Sequence, residues 1–178
     1  MIGRRSAGTS PVGRAGALLL PLAIAACLQV SAASLDPPLP LLDPATGETV
    51  RLEPGPAALH VVFFATWCPA CIDELDRLAN LEARWTDRDY RLVLVAVRTR
   101  QEPDRLRRFL DEHQPPGRLL LDGDGRAEQA LAPEGMPTHV VFDADGREAA
   151  RSAALDAVLE GAIDALLTGP GRAAGTAR

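Results

Sequence analysis

The chain has 178 residues, 47% of them apolar, and a formal net charge of −5, which suits one compact domain with extensions. Every basic side chain other than three histidines is an arginine, and without Arg4, Arg5 and Arg14 the balance is 16 arginines against 24 acids. An acidic body with no basic stripe argues against a nucleic-acid-binding protein.

Residues 1–27 read as an export signal. A basic leader precedes the apolar stretch AGALLLPLAIAA at 15–26, which is too short and too interrupted by proline for a transmembrane helix. Ile24-Ala25-Ala26-Cys27 then resembles a lipoprotein box, which makes Cys27 a candidate lipidation site and membrane anchor. Ser31-Ala32-Ala33 offers a competing cleavage point that would release a soluble protein. Either cleavage places the domain outside the cytoplasm, where disulfides persist. Residues 28–40, rich in Pro, Ala and Ser, read as a tether. Residues 41–167 form the domain, and the Gly/Ala/Arg-rich residues 168–178 form a frayed tail.

Within the domain, a turn at Asp43–Glu48 leads to a short alternating strand near 49–52. The continuous apolar run LHVVFFA at 59–65 fits a strand buried on both faces. Leu75, Leu78, Leu81 and Trp85 then step at helical spacing, and RLVLVAV at 91–97 is a second buried strand. Leu106, Phe109, Leu110 and His113 mark another helix. A strand at 118–121 and a brief helix at 125–131 follow. The run 138–142, the turn 143–146 and the run 147–151 read as a hairpin. Leu155, Val158, Leu159, Ala162, Ile163, Leu166 and Leu167 stripe a closing helix. Alternating strands and helices followed by a hairpin predict an α/β fold with a central mixed sheet flanked by helices.

The chemistry lies in Trp67-Cys68-Pro69-Ala70-Cys71, where a buried strand gives way to a helical pattern. Two cysteines two residues apart at such a junction mark a thiol–disulfide redox pair. The helix dipole and free backbone N–H groups favour a thiolate there, with pKa values of roughly 3.5–7.5 in such settings. Cys68, nearer the helix end, is the predicted exposed nucleophile, and Cys71, one turn inside, is the resolving thiol. Pro69 suits the first helical turn. The competing reading, half of a zinc site, lacks a second cysteine pair, and a closed site needs four ligands. His60, His113 and His139 stand singly and read as surface or packing residues. No metal and no cofactor beyond the Cys68–Cys71 pair are expected.

FFATWCPACIDEL at 63–75 and GMPTHVVFDADG at 135–146, in that order, resemble the TlpA/ResA-like branch of the thioredoxin superfamily, over about residues 38–167. The resemblance implies a thioredoxin-like fold with an N-terminal β-hairpin and an extra helix–strand insertion near 104–121. It implies a cis Pro137 beside the disulfide, whereas sequence context alone gives a trans loop proline. It assigns Met136 to backbone pairing with an extended client segment and Trp67 to shielding the active cysteine and contacting substrate. Glu74 becomes a proton acceptor or donor for the cysteines, in place of an acid that thioredoxin carries where this chain has Val62. Core packing for Met136, a boundary aromatic for Trp67 and a solvated first-turn acid for Glu74 are the plainer readings. The branch further implies cysteine-containing envelope clients, such as proteins of cytochrome c or copper-site maturation. It also implies a membrane thiol-electron donor of the CcdA/DsbD type and a periplasmic location at the membrane. The Pro-Ala pair between the cysteines departs from thioredoxin-type reductants, which carry proline beside the second cysteine. A disulfide-donating oxidase or isomerase, and a thioredoxin-fold assembly factor without catalysis, are the alternatives.

Overall fold

The computed structural model describes residues 33–97 and 102–169. The segment read as an export signal, with Cys27, the first residues read as a tether and nearly all of the stretch read as a C-terminal tail fall outside those residues. Twelve elements follow in the described chain. They are β1 (Leu39–Leu42), β2 (Thr49–Leu52), β3 (Ala58–Phe64), α1 (Pro69–Asp73), α2 (Leu75–Arg84), β4 (Tyr90–Ala96) and α3 (Pro103–His113). After them come β5 (Arg118–Leu121), α4 (Arg126–Leu131), β6 (Thr138–Phe142), β7 (Glu148–Ser152) and α5 (Ala157–Thr168).

The strands form one mixed seven-stranded sheet in the order β2-β1-β5-β4-β3-β6-β7. β3, β4 and β5 are parallel. β6 runs antiparallel to β3, and β7 antiparallel to β6. The expected N-terminal hairpin is present as β1–β2, with Leu39 opposite Leu52, and it joins the sheet where Leu42 meets Leu121. The expected inserted helix and strand are α3 and β5. Both parallel connections step the same way across the sheet, and such crossovers are right-handed, so the helices between β3 and β4 and between β4 and β5 share one face. α5 lies on that face too. The Arg84 guanidinium donates to Glu160 at 2.9 Å, and that of Arg77 donates to the carbonyl of Leu155.

β3 is buried at all seven positions and carries the core between β4 and β6. Its side chains alternate between faces, and residues paired across a ladder point the same way. His60 pairs with Leu92 and Val141, and Val62 pairs with Leu94 and His139. Tyr90, opposite Ala58, is on the same face by parity. The register thus places Tyr90, His60 and His139 on one diagonal of one face.

Three details differ from the sequence pattern. The helix after Cys68 is interrupted at Glu74, which closes α1 with its N–H on the Ile72 carbonyl and opens α2 with its own carbonyl bonded to the Leu78 N–H. Val158, on the expected apolar stripe of α5, is 80% exposed. The buried positions step by four through Leu155, Leu159, Ile163 and Leu167, which leaves Val158 beside the seam. Packing also reaches back into the stretch assigned to the tether. The side chain of Leu35 is fully buried and its N–H bonds to the carbonyl of Gly146 at 3.0 Å.

Gly117, between α3 and β5, has φ of +66°, and a Cβ there would stand 2.6 Å from the carbonyl oxygen of Leu92. Gly161, inside α5, has nothing within 4 Å of a built Cβ. Gly117→Ala is expected to destabilise by about 2 kcal/mol, combining left-handed strain with a backbone clash. Gly161→Ala is expected to stabilise by about 0.5–1 kcal/mol through helix propensity. Urea unfolding of the two variants checks both signs.

Candidate active site

β3 ends at Phe64, and the chain turns through Ala65, Thr66 and Trp67 to present Cys68 as the N-cap of α1. Cys68 has an extended backbone (φ −96°, ψ 106°), and its Sγ accepts the Cys71 N–H at 3.2 Å. Pro69 follows as the first helical residue, where it removes no needed donor. One turn of helix brings the two cysteine Cα atoms to 5.3 Å, and the sulfurs are joined in a disulfide. Among the described residues, no group of three or more His, Cys, Asp or Glu side chains could hold a metal ion.

Cys68 is less exposed than the sequence implies, keeping 6% of its surface against 2% for Cys71. It lines an open groove of about 480 Å³, together with Trp67, Pro69, Glu128, Glu134 and Met136 among others. Trp67 is 38% exposed there. Met136 lines the same groove, and its peptide bond to Pro137 is cis. The carbonyl oxygen of Met136 lies 3.7 Å from the Sγ of Cys68. Two motifs far apart in sequence thus line one groove. Met136 is half-buried and also packs on the core.

Glu74 faces away from that groove. Its Oε1 accepts the Leu155 N–H at 3.0 Å and lies 3.9 Å from Arg77, while its Oε2 is 2.9 Å from Nε2 of His139. Neither sulfur is among its hydrogen-bond partners. None could be in this oxidation state, because a carboxylate and a disulfide are both acceptors. Such a bond becomes possible only once Cys71 carries a proton.

His139 and His60, which the sequence assigns to surface or packing, are fully buried and in contact. Nε2 of His60 is 3.0 Å from Nδ1 of His139, and Nδ1 of His60 is 2.8 Å from the hydroxyl of Tyr90. Burial, reinforced by the neighbouring His139, holds the ionisation of His60 well below the ordinary histidine value. Burial also lowers that of His139, although Glu74 and Asp156 pull it upward. Burial pushes the Tyr90 phenol far above its usual value. Single histidines in a sequence carry no such signal; it needs the strand register. His113 fits its surface reading, being exposed with its ring 4.4 Å from that of Phe109.

A mixed sheet with a Cys-x-x-Cys disulfide at a strand–helix junction, facing a cis-proline loop, defines a thioredoxin-fold thiol–disulfide oxidoreductase. The chain belongs to the Redoxin family, whose description matches residues 42–156. No curated protein sequence matches it. Solved structures agree on the fold. The Chlorobium tepidum protein provisionally named thiol:disulfide interchange protein DsbE is 20% identical, with a TM-score of 0.66 over 77% of this chain and 97% of that one. StoA from Bacillus subtilis is 18% identical, with a TM-score of 0.59 over 68% of this chain and 93% of its own. A secreted Mycobacterium tuberculosis disulfide oxidoreductase, homologous to Escherichia coli DsbE, is 21% identical, with a TM-score of 0.58 over 71% and 95% respectively. No helix among the described residues is long and apolar enough to cross a membrane.

The buried histidines give stability a definite pH dependence. Unfolded histidine titrates near about 6.5, and both folded rings titrate lower. Below that value the unfolded chain therefore binds more protons than the folded one. Stability is complete above about pH 6.5 and falls as the pH drops, by up to about 2.7 kcal/mol per pH unit for two rings that stay neutral. The depressed carboxyls act in a lower window. Burial raises Asp43, but Arg118 and two backbone N–H groups outweigh it; Glu148 is lowered chiefly by Arg151. Their contribution is lost only below roughly pH 4.5. Urea unfolding free energies at pH 7.5, 6 and 5 should fall steeply between the last two. A flat profile would mean that the rings titrate normally in the folded state.

Proposed function

We propose that the protein is an exported disulfide reductase of the bacterial cell envelope, held at the periplasmic side of the membrane by its N-terminal segment or by a lipid on Cys27. The observation that carries this reading is the Cys68–Cys71 disulfide, whose Cys68 lines an open groove together with Trp67 and Met136. The groove admits an extended segment of a client protein and brings its disulfide to Cys68.

In the reduced enzyme the Cys68 thiolate attacks one sulfur of the client disulfide. A Cys68–client bond forms, the client S–S bond breaks, and the other client sulfur leaves as a thiolate. Cys71 then gives its proton to the carboxylate of Glu74, one turn away on the same helical segment. The new thiolate attacks Sγ of Cys68, closing the intramolecular disulfide and releasing the second client sulfur. Two electrons pass from the dithiol to the client, and the Glu74 proton leaves with a client thiolate or to solvent. A membrane thiol-electron donor of the CcdA/DsbD type restores the dithiol. The backbone of Met136 pairs with the client segment in the β-addition mode. Trp67 shields the mixed disulfide. Haem-site cysteines of apocytochrome c and cysteines of copper-site proteins suit this chemistry as clients.

The test is trapping of clients in envelope extracts. Cys71→Ser removes the resolving thiol and should accumulate mixed disulfides through Cys68, separable on non-reducing gels and lost with reductant. Cys68→Ser should abolish turnover and trap much less. Equal trapping by the two variants would reverse or erase the assigned roles, and unchanged client binding without either cysteine would indicate a non-catalytic assembly factor.

A further inference from the structure

The described core holds one run of titratable side chains of which the proposed reaction uses only the last. It crosses the sheet face under α2 and α5, from Tyr90 on β4 through His60 on β3 to His139 on β6, and it ends on Glu74 between α1 and α2. Each contact is 2.8–3.0 Å, and both imidazoles are fully buried.

The proton order along this run is fixed by what its ends can do. An ionised carboxylate only accepts, so Nε2 of His139 must donate to Glu74. With both rings neutral, Nδ1 of His139 is then an acceptor and takes the N–H of Nε2 on His60. That leaves Nδ1 of His60 as an acceptor for the Tyr90 hydroxyl. Three donors meet three acceptors, and no imidazole nitrogen of the pair lacks a partner. The opposite order would put a donor from His60 against the phenol and leave a carboxylate facing a ring lone pair. Glu74 itself is 13% exposed at its side chain, with the Leu155 N–H on its other oxygen. The charged groups around the His139 end are Glu74, Arg77 and Asp156, and those around Tyr90 are Glu82 and Arg84.

We propose that His139, its tautomer locked by His60 and Tyr90, is a positioning residue for the thiol–disulfide reaction, fixing the direction of the Glu74 carboxylate that accepts the Cys71 proton. The proposal rests on Glu74 accepting that proton in the proposed reaction, and it adds the residues that set it. A rotatable carboxylate at the break between α1 and α2 would lose its direction. Bonded to Leu155 through one oxygen and to His139 through the other, it is held in one direction.

The experiment is single-turnover oxidation of the reduced full chain by glutathione disulfide, followed by tryptophan fluorescence between pH 4.5 and 8. Folding of each variant is checked by circular dichroism. Glu74→Gln should lose the acidic limb of the rate profile and slow the reaction about tenfold or more. His139→Leu removes the hydrogen bond to the carboxylate and should displace that limb and slow the reaction several-fold. His139→Gln, which restores an N–H at the same reach, should return the limb toward its native place. An unchanged profile in Glu74→Gln would overturn the acceptor role of Glu74, and this proposal with it. A changed profile in Glu74→Gln, with His139→Leu matching native protein, would overturn the positioning role alone. Should His139→Leu fail to fold, nitrogen-15 NMR of the native protein decides. Both rings should be neutral and protonated at Nε2 at pH 8, and an Nδ1-protonated His139 would sink the proposal.

Discussion

The constraint on which the rest depends is the burial of β3 along its whole length. Its seven side chains are inaccessible because β4 and β6 flank it and helices cover it. A strand so confined has no freedom of register, since a one-residue slip would exchange the side chains of its two faces. The fixed strand delivers the redox segment from its C-terminal end, and its antiparallel partner β6 begins directly after Pro137. The two motifs that line the groove are therefore set by one ladder, in which Phe63 lies opposite Thr138. The same ladder sets His60 and His139 side by side.

The site has two sides with different physics. Toward solvent, Cys68 lies in an open groove with an exposed indole at one edge, a surface suited to a passing peptide. Toward the core, Glu74 is anchored to the buried imidazole of His139 and to the Leu155 N–H. The break between α1 and α2 separates the two. It falls at Glu74, whose carboxylate reaches both the chain before α5 and the sheet, so the local geometry of the helix answers to tertiary contacts.

Much of this is legible in the chain. Cys68-Pro69-Ala70-Cys71 names the chemistry because its spacing, at a strand-to-helix junction, admits few other uses. Apolar runs and helical stripes locate every strand from β2 onward and the long helices, because burial on one or both faces writes itself into hydrophobic periodicity. The histidine pair is not legible. His60 and His139 are 79 residues apart, and their contact follows from which residues of β3 and β6 face each other, a quantity that composition and period do not contain. Tyr90, at the first position of β4, joins them only through that register. The break at Glu74 is hidden for a related reason, since neither glycine nor proline marks it. Val158 misleads because a three-and-four stripe is wider than the four-step seam that α5 buries. Leu35 lies in a Pro- and Ala-rich stretch whose composition outweighs one buried leucine.

The equilibrium reduction potential of the Cys68–Cys71 pair bears most directly on the proposed direction of electron flow. It is measured on the full chain against glutathione and dithiothreitol redox buffers, with the thiols counted by alkylation. A reductase of envelope clients should have a value at or below about −230 mV, toward the thioredoxin end of the range. A value near about −120 mV would mark a disulfide donor, and electrons would then flow from client to protein, the reverse of the proposed direction.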